Sequence, residues 1–265
     1  MGGDFLYGIG EGWLTLIVLG LFYLFAEIGF RLGVRSSSKI GEAAASHVAT
    51  VEGALLGLLA LLLGFAFSMA MTRYENRRSV IVAEANDIST TSLRARLLPE
   101  ERGKIVMPLL RDYVDSRIRF FQAGLDHEMM QRTLGETETI QNKLWNEAVL
   151  AARQNSDEVT TGYFIESLNS LIDDHTERVA ATENHVPEVI LLLLIFVGSM
   201  SLAMTGYSSG LNKTRLVIPR SILVLLTGAT LMVIIDLDRP RRGFITISQN
   251  ALLKLQEEMQ IGKSQ

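Results

Sequence analysis

Residues 55–78, LLGLLALLLGFAFSMAMTRYENRR, pass from pure hydrocarbon into dense charge within about one helical turn. The apolar run around them, 53–71, holds nineteen residues without a charge. That matches the ~20 residues a helix needs to cross ~30 Å of hydrocarbon at ~1.5 Å per residue. Three further stretches have the same character. Residues 14–32 are flawed only by Glu27 and Arg31, 186–207 are nearly free of charge, and 216–235 carry Pro219 and Arg220 near their start. The chain therefore reads as four membrane spans in two pairs.

Composition agrees with a membrane protein that has a water-facing insert. The 265 residues have a mean hydropathy of +0.24, yet 20% are charged, and the charges concentrate in the middle of the chain. The expected organisation is a first helix pair (1–71), a helical extramembrane insert (72–185), a second pair (186–236) and a tail packing on the insert (237–265). The opening MGGDFLYGIGEG has no basic n-region and no small-residue cleavage site follows, so the first span reads as a retained anchor. With no cysteine, disulfides, thiolate-held clusters and thiolate catalysis are excluded. A net charge of −4 gives no reason to expect nucleic acid as a partner; the lipid bilayer is the partner the spans require.

Within the insert, apolar residues recur at helical spacing: Ile140, Leu144 and Ala148 share one face, as do Phe164, Leu168 and Leu171. Pro99 and Pro108 are expected to break or kink helices, and Gly124 and the Gly135 region to form turns. No Gly or Pro separates Phe65 from Leu98, so the second span should continue as one rod into the insert. Counting Lys and Arg near the span ends does not orient the chain. Six lie on the side of the short loops (Arg31, Arg35, Lys39, Lys213, Arg215, Arg220) and six on the other (Arg73, Arg77, Arg78, Arg239, Arg241, Arg242).

Two motifs carry a family resemblance. Leu63, Gly64 and Phe65 are followed eight residues after the Phe by Arg73 and Tyr74, and after the last span comes DLDRPRRGFITISQNAL, with Asp236, Asp238, Arg239, Pro240 and Gly243. Both segments, and the order of two spans, long helical insert, two spans and tail, resemble the bestrophin anion channels. Closer still is the resemblance to a bacterial bestrophin-like family of unknown function, whose features RYENRR (73–78), EAND (84–87) and DLDRPxxG (236–243) are all present.

The resemblance implies an all-α, four-span bestrophin-like fold. It also implies a homo-oligomer, expected to be a pentamer, around an axial pore for small inorganic anions such as chloride. The neck would be lined by a Phe and the residues four and eight positions before it on one helix face, here Phe65, Leu61 and Gly57. Gly57 departs from the bulky pattern and would widen or remove one ring. Arg73, Arg77 and Arg78 are the basic residues available to raise the local anion concentration. The alternative is that Leu61 and Phe65 make ordinary lipid or packing contacts and that the arginines snorkel to the headgroups. The resemblance further implies a bacterial inner-membrane location with the insert and both termini cytoplasmic; the alternative, with the N-terminus and the insert outside, is favoured by the absence of Lys and Arg before Trp13. The calcium clasp of animal bestrophins needs an acidic run where this chain has Arg239, Arg241 and Arg242, so no calcium site is expected. Asp236 and Asp238 should pair with those arginines or cap the last span.

One constellation stands apart from the family. Glu27 and Arg220 lie on the same side of the membrane at similar depth, and a charge below the headgroups seeks a partner. An intramembrane Glu27–Arg220 pair is expected, joined by Glu52 or His47. It would serve as an ion relay or as an interfacial salt bridge. The four histidines form no close ligand pair, and no phosphate loop or nucleophile elbow is present, so no catalytic residue, cofactor or metal is expected. IDDHTER, 172–178, could place Asp174 and His175 near a metal, but its spacing reads better as a solvated helix face. A proton-driven motor subunit would want an unpaired acid in mid-membrane, which spans two to four lack. The rival to a channel is a non-conducting scaffold or sensor whose insert binds a partner.

Overall fold

A computed structural model of the chain describes residues 10–124, 126–154, 158–239 and 245–261. The described residues form eight helices and no strand. They are α1 (Glu11–Ser36), α2 (Glu42–Ala95), α3 (Glu100–Gln122), α4 (His127–Arg153), α5 (Glu158–Glu183), α6 (Glu188–Leu211), α7 (Val217–Asp238) and α8 (Asn250–Ile261). Segments of α1, α2, α6 and α7 are long and apolar enough to cross a membrane, and the protein is an all-α membrane protein. Two compact units divide the chain. One comprises 1–72 with 185–239, the other 73–184 with 240–265. Helix α2 contributes to both as one uninterrupted helix of 54 residues.

Local chemistry explains the ends of the insert helices. Helix α3 follows Pro99, carries Glu100 and Glu101 in its first turn and Arg119 in its last, each complementing the helix dipole. Gly124 takes φ +56°, a left-handed conformation suited to glycine, and two residues later Asp126 accepts a hydrogen bond from Met129 N at 2.9 Å to start α4. Pro108 lies inside α3 and does not end it, because the wholly buried Val106 and Leu110 flank it and outweigh one lost backbone bond. The sequence-based expectation fails at one place. Gly135 lies inside α4 rather than in a turn, because Thr133 and Thr137 on either side are buried and Thr137 shares a 2.6 Å hydrogen bond with Ser116 of α3. The core of this unit gathers Ile88, Leu110, Tyr113, Leu144, Phe164, Leu168 and Leu171, with Leu252 and Leu255 from α8.

In the membrane unit, α1 and α6 run parallel and meet backbone to backbone. A Cβ added at Gly29 would overlap the carbonyl oxygen of Ala203, and one at Gly33 that of Tyr207. From the other side, Gly206 abuts the carbonyl of Ala26 and Gly210 that of Phe30. Each helix thus offers two glycines four residues apart, GFRLG (29–33) and GYSSG (206–210), the arrangement that lets helices in lipid approach until dispersion and Cα–H···O contacts hold them. Gly206→Leu must push the helices apart and should lower thermal stability in detergent by about 1–3 kcal/mol or more. Gly20→Ala, whose Cβ would meet open space, should leave it unchanged or raised by up to ~1 kcal/mol.

Candidate functional site

Helix α2 has two unlike faces in its apolar segment. Leu59, Ala66 and Ala70 are at most 4% exposed, and Leu59 approaches the notch at Gly198 of α6. The carbonyl of Leu55 accepts a hydrogen bond from Ser201 at 3.3 Å. On the opposite side Gly57 is exposed, and Leu61 and Phe65 are 54% and 63% exposed. The chain's own helices leave that second face uncovered.

The three arginines that follow have different surroundings. Arg77 is buried and donates from Nε to the carbonyl of Ala181 at 3.0 Å and from Nη2 to that of Asn184 at 2.7 Å. Arg73 donates to the Asn184 side chain. Together they tie down the C-terminal end of α5, a helix with no basic residue in its own last turn. Arg78 is exposed.

Glu27 of α1 and Arg220 of α7 stand 3.2 Å apart. Arg215 at 3.0 Å and Arg31 at 3.1 Å are the further partners of Glu27, in place of Glu52 and His47. Arg220 is 6% exposed and lies over the rings of Tyr23 and Phe30 at 5.1 and 5.9 Å, so apolar cover and a carboxylate both hold its charge. Pro219 falls in the first turn of α7, where its missing N–H costs nothing. Of the tail motif, Asp236, Asp238 and Arg239 are buried. Asp238 accepts from Val186 N at 2.8 Å, so this side chain at the end of α7 secures the approach to α6. Pro240, Gly243 and the neighbouring Arg241 and Arg242 lie outside the described residues.

The insert's own site was not expected from the sequence. Glu84, on α2, is fully buried between two guanidiniums. It accepts from Arg117 Nε of α3 at 2.5 Å and from Arg178 of α5. Tyr113 OH donates to it at 3.4 Å, and Arg178 Nη2 donates to Gln249 at 2.9 Å. The signal was present: Glu84 sits in the stripe formed by Ile81, Ala85 and Ile88, and an acid on an apolar face demands a partner. Burial raises the Tyr113 phenol far above its ordinary value, so it acts only as a neutral donor. The 172–178 stretch is no solvated face: His175 is 7% exposed and Asp174 half-buried, because both turn towards this cluster and Asp87. Burial holds the His175 imidazole down at about 4, with Arg117 adding to the effect. Burial pushes the Asp174 carboxyl up to about 7, helped by the Asp87 carboxylate. No group of three or more metal-binding side chains occurs among the described residues.

Comparison with known proteins places this architecture. The bestrophin-like domain matches residues 20–252, and the chain belongs to the bestrophin-like family. Its fold is similar to crystal structures of a bacterial bestrophin homologue from Klebsiella pneumoniae. One single-substitution variant superimposes with a TM-score of 0.69 at 15% identity, covering 94% of this chain and 99% of that one. A second gives 0.68 at 13% identity with both chains covered completely. A zinc-phased structure of the homologue gives 0.65 at 15% identity, covering 95% and 97%. Among curated proteins none matches the chain.

Removing the Glu84 carboxylate should cost more than removing an ordinary surface acid. Glu84→Gln leaves two buried guanidiniums without a counter-charge and should destabilise the protein by about 3–5 kcal/mol in thermal unfolding. Glu166→Gln, which breaks only the exposed pair with Arg94, should cost about 0–1 kcal/mol. The pH dependence at Asp174 has a definite sign. Its folded value of about 7 lies above the ordinary aspartate value of 3.8, so its contribution is complete below 3.8 and is lost as pH rises through about 7. Asp174→Asn should therefore raise the melting temperature above pH 7 and change it little near the bottom of that window.

Proposed function

We propose that the chain assembles into an oligomeric bestrophin-type channel, a pentamer, that passes small inorganic anions such as chloride along an axial path lined by α2. The observation that carries this reading is the uncovered face bearing Gly57, Leu61 and Phe65, opposite the face that packs on the chain's own helices. In a ring of copies, that face would meet at the axis, and Leu61 and Phe65 would form two apolar collars able to gate by dewetting. Gly57 would leave a wider level beyond them. With Arg73 and Arg77 committed to the end of α5, exposed Arg78 is the arginine best suited to attract anions. We place the protein in the bacterial inner membrane with the insert and both termini in the cytoplasm, and assign it no enzymatic role. The Glu27–Arg220 pair, shared with two further arginines, is a structural salt bridge in this scheme, since Arg31 and Arg215 are exposed.

Chloride efflux from liposomes tests the reading. The wild type should conduct, and Leu61→Ala with Phe65→Ala should raise the flux roughly tenfold, the effect of taking about 1.4 kcal/mol from a dewetting barrier. A folded oligomer without flux, or with flux indifferent to both residues, would overturn it in favour of a non-conducting scaffold.

A further inference from the structure

Three guanidiniums meet one carboxylate where α1 completes its span and α7 begins. Glu27 Oε1 accepts from Arg31 Nε at 3.1 Å and from Arg215 Nη2 at 3.0 Å, and Arg220 stands 3.2 Å from Oε2. Among the described residues no second acid forms an ion pair with any of the three, and Glu52 of α2, on the same side of the membrane, pairs with none of them. Three cations therefore share one anion.

The three differ in what surrounds them. Arg220 is buried against the rings of Tyr23 and Phe30, whereas Arg31 and Arg215 are 71% and 60% exposed. Each of these two gives Glu27 a single N–H, and because both reach the same oxygen their guanidiniums are held side by side. Both terminal nitrogens of Arg31, and Nη1 and Nε of Arg215, find no acceptor among the described residues. Like charges this close repel unless an anion lies between them. The side chains are also held in advance, Arg31 by an acid one turn back on its own helix and Arg215 by stacking over Phe30 at 5.5 Å. Part of the ordering cost of binding is thereby met before a ligand arrives.

A phosphate diester fits these donors, since its two non-bridging oxygens can each take one forked guanidinium. The apolar surroundings name its source. Exposed Ile28 and Leu32 flank Arg31 on α1, and exposed Leu216, Val217 and Ile218 follow Arg215. Such side chains at the end of a membrane span meet acyl chains, and a phosphate joined to acyl chains is a phospholipid. A zwitterionic headgroup brings its own cation to an already cationic place, and an anionic one does not.

We propose that Arg31 and Arg215, braced by Glu27 and Arg220, bind the phosphate diester of one anionic phospholipid in the leaflet on the side of the short loops. Glu27 is the positioning residue that sets the two forks beside each other. The site requires the membrane spans and is independent of whether the protein conducts.

The test uses the full-length protein in a non-ionic maltoside detergent, with phosphatidylglycerol added stepwise while the melting temperature is followed. The wild type should gain roughly 2–4 °C or more and then saturate. Phosphatidylcholine, which has the diester and a choline cation, and inorganic phosphate, which has no acyl chains, should each leave the temperature almost unchanged. Arg31→Gln with Arg215→Gln should abolish the gain and keep wild-type helicity. Arg35→Gln with Lys39→Gln removes the same charge from exposed side chains on the same side that have no acidic partner, and should keep the gain. Should the first double variant fail to fold, Arg31→Gln alone should raise the half-saturating phosphatidylglycerol concentration roughly tenfold. A wild type indifferent to phosphatidylglycerol, an equal gain from phosphatidylcholine, or a gain and half-saturation unchanged in the folded Arg31 variants would overturn the proposal. An equal gain from inorganic phosphate would replace the lipid with a free anion, and a loss in the Arg35 and Lys39 variant would replace the site with diffuse attraction.

Discussion

The carboxylate of Glu84 fixes the helical insert more than any other single group. It joins α2 to α3 through Arg117 and to α5 through Arg178, and Arg178 passes the connection to Gln249 just before α8. Apolar packing alone allows helices to slide or rotate against one another with modest loss. A buried acid between two forked cations does not, because any shift leaves a charge without its partner in a medium that cannot solvate it. The contact therefore contributes less to net stability than to specifying one arrangement of the four segments. The neutral state of His175 and the raised carboxyl of Asp174 follow from the same centre, since both lie close to charges that water does not screen.

Helix α2 combines two kinds of surface along one rod. In its apolar segment, one face is closed by small residues and Leu59 against α6, and the other carries the exposed side chains of Leu61 and Phe65. Farther along, its polar segment supplies Arg73, Arg77 and Glu84, all directed at other helices of the insert. The RYENRR motif that carries the family resemblance is accordingly in large part a structural device. Two of its three arginines terminate α5, and the third is open to solvent.

Hydropathy alone located the four spans, because a helix in lipid must satisfy its backbone internally and present apolar side chains over a fixed length. The Glu27–Arg220 pair, 3.2 Å apart, followed from the cost of placing either charge alone. Other features were out of reach for identifiable reasons. Gly135 resembles a turn locally, and only the burial of Thr133 and Thr137 against α3 shows why the helix continues. The partners of Glu84 lie 33 and 94 residues away along the chain, so no local pattern joins them. Asp174 and His175 look solvated in sequence because their polar neighbours Asp173, Thr176 and Glu177 do face water. The paired glycines of α1 and α6 were readable as spacing, but glycine is common in membrane helices, and spacing alone did not match the two pairs to each other.

The glycine seam between α1 and α6 also limits how this protein can change over evolutionary time. In most cores, a residue that grows can be accommodated when a neighbouring side chain shrinks, and paired substitutions let sequences drift. Here the surfaces facing Gly29, Gly33, Gly206 and Gly210 are main-chain carbonyls, which every amino acid possesses. No second substitution can make a carbonyl smaller. These four positions lack the compensating routes open to the rest of the chain, and a larger residue at any of them is accommodated only by moving a whole helix.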